Sequence, residues 1–376
     1  MLWGDLGRGS KGSAFSEHGM AVEVKAICDA IRELYLWDEI PWVVGYSGGK
    51  DSSAVLQLVW LAVRELPVEQ RRKPIYVVST DTLVEQPVVA AWVDASHVRM
   101  RQAAAEQGVP ITPHRLTPDR KDSFWVNLIG KGYPAPRTTF RWCTSRIKIN
   151  PSNKFIRDVV RQSGEAILVL GTRKAESQHR ARNMAQREKR RVRERLAPNA
   201  ALPNSLVYTP IEDWTNDDVW LFLMQVKNPW GHTNKSLLGM YQGASADGEC
   251  PLVVDTSTPS CGNSRFGCWV CTVVDQDRSM AAMIKNDDEK LWMTPLLELR
   301  NDLGDVSKDK ARRDFRRMNG RVQLFHDGVV RGPYSRAARE YWLRRVLQTQ
   351  QETRRLGPAE FQKLELISLP ELHEIR

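Results

Sequence analysis

The sequence predicts an α/β fold, a doubly wound and mostly parallel sheet, with a cysteine-rich lobe and a helical C-terminal region appended. Three observations carry this expectation. Short runs rich in β-branched residues alternate with longer segments of helical periodicity up to about residue 211. Glycine, serine, threonine, proline and cysteine then replace that alternation over 239–265. Beyond residue 280 the helical period returns without strands. The expected boundaries are a flexible lead-in over 1–20, a sheet domain over 21–235, a cysteine lobe over 236–280 and a helical region over 281–376.

Each element follows from its own pattern. Residues 21–38 place Val24, Ile27, Ile31 and Leu34 on one helical stripe, with Cys28 beside it as a packed core thiol. PWVVGYS (41–47) is a short buried strand opening into a glycine loop, and Val55, Leu58, Val59, Ala62 and Leu66 then line one helical face. KPIYVVSTDT (73–82) is a second strand, followed by a helix over about 87–107. GVPITPHRLTP (108–118) begins a third strand, AILVLGTR (166–173) is a fourth and SLVYTPI (205–211) a fifth. Residues 335–357 form the clearest late helix, with Ser335 as its N-cap.

Composition narrows the class of molecule. Hydrophobic residues make up 41% of the 376, as in ordinary globular chains, and no apolar run is long enough to span a bilayer. The first twenty residues lack the pattern of a secretion signal, so a cytoplasmic protein with no membrane contact is expected. ELHEIR closes the sequence without a terminating signal, which suggests that the natural chain continues. The formal net charge of +10 favours an anionic partner such as nucleic acid, although charge alone also fits a basic protein with no such partner.

The loop GYSGGKDSS (45–53) departs from the common nucleotide loop in two ways. Three residues, not four, separate Gly45 from Gly49-Lys50, and the acid Asp51 follows the lysine. Glycines after a strand let backbone N–H groups approach phosphate oxygens, and the following helix N-terminus favours negative charge. Ser47, Lys50 and Ser52 add donors. In a doubly wound sheet, ligands bind beyond the carboxyl ends of the strands, where this loop, Asp81 and Gly171-Thr172-Arg173 all fall. Asp81 is open to two readings, a ligand for Mg²⁺ or a strand-end cap.

The block Ser47-Gly48-Gly49-Lys50-Asp51-Ser52 resembles the SGGxDS loop of the ATP pyrophosphatase (PP-loop) superfamily. Further segments resemble its phosphoadenosine phosphosulfate (PAPS) reductase branch: RWCTSRIKINP around Cys143, GTRKAESQHR from Gly171 to Arg180, and PIEDWTNDDVW from Pro210 to Trp220. Read alone, Arg173 and Arg180 fit solvated helix residues and DDVW fits a helix start with a capping acid. The resemblance implies an adenine nucleotide α-hydrolase-like fold and cleavage of ATP at its α-phosphate. ATP would then be held by Ser47, Gly48, Gly49, Lys50, Asp51, Ser52, Asp81, Gly171 and Arg173, with Lys50, Asp51, Arg173 and Cys143 as catalytic candidates. Arg137, Arg141, Arg146 and Lys148 supply further cations for an anionic reaction, and Asp51 or Asp81 would help hold Mg²⁺.

Four of the six cysteines lie within 22 residues, spaced Cys250-x10-Cys261-x6-Cys268-x2-Cys271. Four thiolates suit either structural zinc or an iron–sulfur cluster. The resemblance to cluster-bearing reductases tips the expectation toward [4Fe–4S] on Cys250, Cys261, Cys268 and Cys271. Those reductases carry tandem cysteines where this chain has only Cys143, which leaves Cys143 as an alternative ligand displacing Cys250, or as a sulfur-carrying thiol.

RNMAQREKRRVRERLAP (182–198) concentrates arginine and lysine directly after GTRKAESQHR. Its interspersed Glu188 and Glu194 fit a solvated helix face, while Arg187, Lys189, Arg190, Arg191 and Arg193 are the candidates for holding a nucleic-acid backbone. Across roughly residues 40–285 the motifs taken together, including STDTLVEQPVVAAWVDASH and ECPLVVDTSTPSCGNSRFGCWVC, resemble the DndC family of bacterial DNA phosphorothioation. FRRMNGRVQLF (315–325) is similar as well. That resemblance implies DNA as substrate, replacement of a nonbridging phosphate oxygen by sulfur, and a cysteine desulfurase (DndA or a housekeeping equivalent), DndD and DndE as partners. An assimilatory PAPS or adenosine phosphosulfate reductase, a tRNA thiolase of the same superfamily and a zinc-bearing DNA-binding scaffold are the other readings.

Overall fold

Three valine- and isoleucine-rich strands at the centre of the chain's first half are buried on both faces, which requires helices on either side. The computed structural model describes residues 12–245, 266–326 and 328–376. The strands are β1 (Trp42–Gly45), β2 (Ile75–Thr80), β3 (Ile111–Leu116), β4 (Ala166–Val169), β5 (Ala197–Pro198) and β6 (Ser205–Tyr208). They form one sheet in the order β3-β2-β1-β4-β6-β5. Every pairing is parallel except that of β5 with β6. The chain reverses direction across the sheet between β1 and β4, and such a switch opens a crevice at the carboxyl ends.

Side-chain alternation assigns the two faces. Trp42 and Val44 join one core with Val24 and Ile31 of α1 (Met20–Trp37) and Val55 and Val59 of α2 (Lys50–Arg64). Val43 and Val78 face the other way, onto Ile156 and Val159 of α4 (Asn150–Ser163). Between them in sequence, α3 (Pro87–Gln107) starts with Pro87 and ends at Gly108, whose φ of 61° closes the helix in the left-handed region. Cys28 is buried in the first core, where burial pushes its thiol up to about 12. It is a packing residue, as its stripe predicts.

After β4 come α5 (Gln178–Glu188), α6 (Asn216–Gln225) and α7 (Asn234–Gly243). The C-terminal part holds α8 (Arg278–Asn286), α9 (Thr294–Gly304), α10 (Val306–Asp309), a hairpin of β7 (Leu324–Phe325) and β8 (Gly328–Val329), then α11 (Arg336–Leu356) and α12 (Leu369–Ile375). Ser335 caps α11, accepting a hydrogen bond from the Ala338 amide, as its sequence predicts. These helices share a second core with residues from the loops between β3 and α4. Trp125, Trp142 and Ile147 pack in it with Trp269, Trp292, Leu299 and Trp342. Among the described residues, no helix is long and apolar enough to cross a membrane.

Arg300 of α9 is the polar anchor of that second core. It is 1% exposed and donates to the backbone carbonyls of Cys271 (3.0 Å), Asp275 (2.7 Å) and Val274. It thereby folds the segment after the Cys268/Cys271 pair around one side chain. Removing the guanidinium would leave buried carbonyls without a donor, each costing about 1–3 kcal/mol. Arg300→Met is therefore expected to lower unfolding stability in urea by about 3 kcal/mol or more; a change within about 0.5 kcal/mol would contradict the anchor.

Candidate active site

The glycine loop emerges from the sheet where neighbouring strands constrain it on both sides. Tyr46 N–H bonds to the Val78 carbonyl (2.9 Å), continuing the β1–β2 ladder. Ser52 Oγ then closes the turn, accepting from Ser47 N–H (3.2 Å) and donating to the Gly49 carbonyl (3.0 Å). Gly48 sits at φ +76, and a Cβ there would lie 2.6 Å from Val93. Its carbonyl accepts from Trp92 Nε1 at 3.2 Å. Gly49 gives α2 no side-chain cap, so the first-turn amides of α2 can serve a ligand. One of them, Lys50 N–H, is taken at 3.3 Å by the Tyr241 hydroxyl, which sequence reasoning missed and which no local pattern signals.

Behind the loop lies a charged clamp. Arg173, 3% exposed, donates from Nε to Asp51 Oδ1 (2.7 Å) and from a terminal nitrogen to the Trp214 carbonyl (3.1 Å). Asp51 Oδ2 pairs with Lys50 Nζ at 3.0 Å. Burial lowers the Lys50 pKa, opposed by Asp51 and reinforced by Arg173. Gly171 is the second tight point, since a Cβ there would lie 2.7 Å from the Asp51 carbonyl oxygen and 3.1 Å from the Ser52 nitrogen. The structure thus gathers Ser47, Gly48, Gly49, Lys50, Asp51, Ser52, Gly171 and Arg173 at the ends of β1 and β4.

Other candidates are placed differently. Asp81 accepts from Leu83 N–H (2.8 Å) through Oδ1 and pairs with Arg115 (3.3 Å) through Oδ2, so it closes the turn after β2. Both oxygens of Asp51 and of Asp81 are thus engaged by protein donors. Each of these oxygens keeps a second lone pair, so Mg²⁺ ligation by either carboxylate would add to these contacts. Arg146 bonds Asp122 (3.1 Å), Asn127 (2.9 Å) and Tyr133 (3.0 Å), and Arg137 bonds the Gly304 carbonyl (3.0 Å). Those two arginines are framework. Asp218 closes a capping box with Thr215, the bland reading of DDVW.

The CxxC segment is stitched to the loop that follows β2, the strand next to β1. Trp269 N–H bonds the Val84 carbonyl (3.0 Å) and Gln86 N–H the Gly267 carbonyl (3.3 Å). Cys268 Sγ faces Thr82 Oγ1 (3.4 Å) and Glu85 Oε1 (3.8 Å). Burial pushes the Cys268 thiol up to about 12, with Glu85 adding to it. Lys148 lies beside it, in the π-helical turn Thr144–Ile149 that follows Cys143. Burial opposes its charge, yet Cys268 and Glu85 raise its pKa above the ordinary lysine range. Burial also raises the Cys143 pKa, and so does Cys271. Thr82 and Glu85 have no sequence signal beyond following a strand end.

Cys143 and Cys268 both pack against the second core, and Cys271 closes the turn after Cys268, its N–H bonding the Cys268 carbonyl at 3.0 Å. Among the described residues, no group of three or more Cys, His, Asp or Glu side chains is drawn together as a metal site. Cys250 and Cys261 lie outside the described residues. As donors, three thiols suit iron–sulfur ligation and would need one of those two to complete a four-thiolate set.

A family model for the phosphoadenosine phosphosulfate reductase domain matches residues 41–273, more than half of the chain. The chain belongs to that PAPS reductase-like family of PP-loop proteins. An uncharacterised protein of Methanocaldococcus jannaschii is 26% identical over 262 residues, covering 70% of this chain and 42% of its own length. The chain thus spans less than half the length of that curated relative. Among solved structures, a PAPS reductase from Candida auris in a phosphate complex aligns over 61% of this chain and 93% of its own (13% identity, TM-score 0.36). The U34-tRNA thiolase NcsA from Methanococcus maripaludis with its [4Fe–4S] cluster aligns over 57% and 68% (16% identity, TM-score 0.36). Likeness at those scores bears on neither substrate nor cofactor.

The basic stretch after the site is only partly free. Arg191 pairs with Glu212 (2.9 Å), and Arg193 with Asp38 (3.1 Å) and Glu165 (3.5 Å). Arg187, Lys189 and Arg190 are exposed.

A buried polar chain supports the loop from below. Tyr46 hydroxyl bonds Ser96 Oγ (3.1 Å), which meets His232 Nδ1 (2.8 Å), and Ser79 Oγ meets His97 Nε2 (2.8 Å). Burial lowers both histidines to about 4, helped by Arg115 at His97 and Arg99 at His232. Their native pKa values lie below the ordinary value of 6.5, so the unfolded chain takes up protons first as pH falls. Stability is then expected to be intact above about pH 6.5 and to fall by roughly 2 kcal/mol per histidine by about pH 5. Denaturant titrations across that range check it, and a flat profile would contradict the two neutral histidines.

Proposed function

We propose that this chain is an ATP pyrophosphatase and sulfurtransferase of DNA phosphorothioation, acting as the DndC resemblance implies. The observation that carries the reading is a juxtaposition. The phosphate loop at the end of β1 and the Cys268 thiol with Lys148 at the loop after β2 share one end of adjacent strands. Activation by a nucleotide and delivery of sulfur then need only one site.

ATP would enter with its own Mg²⁺, and the loop amides with Ser47, Ser52 and Lys50 would hold the β- and γ-phosphates. Arg173 acts as a positioning residue, fixing Asp51 and through it Lys50. A nonbridging oxygen of a DNA phosphate attacks the α-phosphorus, the bond to pyrophosphate breaks, and the loop donors stabilise the charge that leaves. A sulfide-level nucleophile then attacks the DNA phosphorus, and AMP departs with the original oxygen. Lys148 would hold an anionic sulfur near Cys268, and Cys143 would be the further thiol that carries it.

A [4Fe–4S] cluster would be held by Cys268 and Cys271 with Cys250 and Cys261, Cys143 replacing Cys250 in the alternative set. When bound, it would supply iron able to carry sulfide or electrons. The exposed Arg187, Lys189 and Arg190 would meet backbone phosphate. A cysteine desulfurase would supply the sulfur, with DndD and DndE as the other partners in a cytoplasmic complex.

The test is anaerobic purification, iron and sulfide analysis, then pyrophosphate release with and without duplex DNA. Phosphorothioate dinucleotides are sought after nuclease digestion in the presence of the desulfurase. Pyrophosphate release is expected to rise with DNA and to fall about 100-fold or more in Lys50→Ala. Gly171→Ala should lower turnover by a comparable factor, because it displaces the first turn of α2, while Gly239→Ala, which meets nothing within 4 Å, should not. Reduction of a phosphosulfate without DNA would overturn the reading in favour of a reductase.

A further inference from the structure

The hairpin between α10 and α11 exposes apolar side chains that a solvent-facing turn would not need. Leu324 and Phe325 are each 67% exposed, Met318 59% and Val322 52%. Single exposed apolar residues are ordinary, but several on one short arm mark a contact surface. The arm also carries Arg316, Arg317, Arg321 and Arg331, and none of these pairs with a carboxylate among the described residues. Arg316 lies instead over the Phe315 ring, 5.2 Å from its centre.

The arm is held firmly at its root. Asp314 N–H bonds the Pro333 carbonyl (2.8 Å) and Gly332 N–H the Asp314 carbonyl (2.7 Å). Tyr334 N–H bonds the Gly132 carbonyl (2.7 Å), and its hydroxyl donates to Asp309 (3.0 Å) and accepts from Ala135 N–H (3.1 Å). The chain from Gly132 to Ala135 leads into Trp142 and Cys143. A rigid root with an exposed tip therefore projects from the segment that positions a site thiol.

We infer that this hairpin is a DNA-contacting arm that inserts apolar side chains at a distorted base step while its arginines hold the flanking phosphates. The inference rests on the proposed DNA substrate and names the surface that would grip it. Interleaved arginine and aromatic or aliphatic side chains fit duplex DNA, whose phosphates match these arginines, unpaired among the described residues, and whose opened steps receive apolar wedges. A protein partner would have to supply carboxylates for four arginines and an apolar face together.

The test uses the full chain and a fluorescent duplex containing 2-aminopurine, read by anisotropy over a salt series. Wild type is expected to bind and to raise the 2-aminopurine signal through unstacking. Leu324→Ser with Phe325→Ser should weaken binding about tenfold or more and abolish the signal while leaving the melting temperature unchanged. Arg316→Ala with Arg317→Ala and Arg321→Ala should lower the salt slope by about 1 per arginine. If wild type binds and both variants bind alike, the arm is overturned and the substrate reading survives. If wild type binds no duplex, both fall. Variants that change only self-association in sedimentation would make the arm a protein interface and overturn the inference.

Discussion

The contact on which the site depends is the pair of buried Arg173 with partly buried Asp51. It joins the end of β4 to the first turn of α2, 122 residues earlier. An ion pair removed from water holds only when the remaining donors are satisfied, and here the Trp214 carbonyl takes one of them. Gly171 makes the approach possible by carrying no Cβ against the Asp51 backbone. The phosphate loop is thus fixed from behind by a strand that no local sequence pattern connects to it. Any side chain at Gly171 would push on the same turn that Arg173 pulls.

A second constraint joins the two cores. Glu85 forms a β-bridge with Cys268, so the CxxC segment is an added edge beside the loop after β2. Arg300 holds the other side of that segment through its carbonyls. The thiols are therefore carried by a structure braced on the sheet and on α9 together. A loop-built segment is thereby fixed beside the end of β2. The C-terminal helices make the core against which that brace rests.

Much of this was legible from residue order. Short runs of β-branched and apolar residues announced β1, β2 and β4, and Pro87, Gly108 and Ser335 marked helix ends through their own backbone preferences. The composition of GYSGGKDSS pointed to a phosphate loop because its glycines and hydroxyls are local. What could not be read were the partners brought by tertiary packing. Tyr241 reaches Lys50 N–H across 191 residues, and Arg193 meets Asp38 across 155. Residue order showed the acids within the basic stretch, Glu188 and Glu194, but not those on other elements that pair with Arg191 and Arg193. Arg137 and Arg146 looked like phosphate ligands for the same reason. The shared core of residues 124–147 with the late helices likewise leaves no periodic trace, because its tryptophans come from separate segments.

The central claim is that the DNA phosphate is adenylated and that its oxygen leaves with AMP. Duplex DNA carrying ¹⁸O at its nonbridging phosphate oxygens tests it directly. After turnover with ATP and the sulfur donor, mass spectrometry of the released AMP is predicted to show one ¹⁸O per phosphorothioate formed. AMP that carries only solvent oxygen, with the label retained in the DNA, would contradict the account.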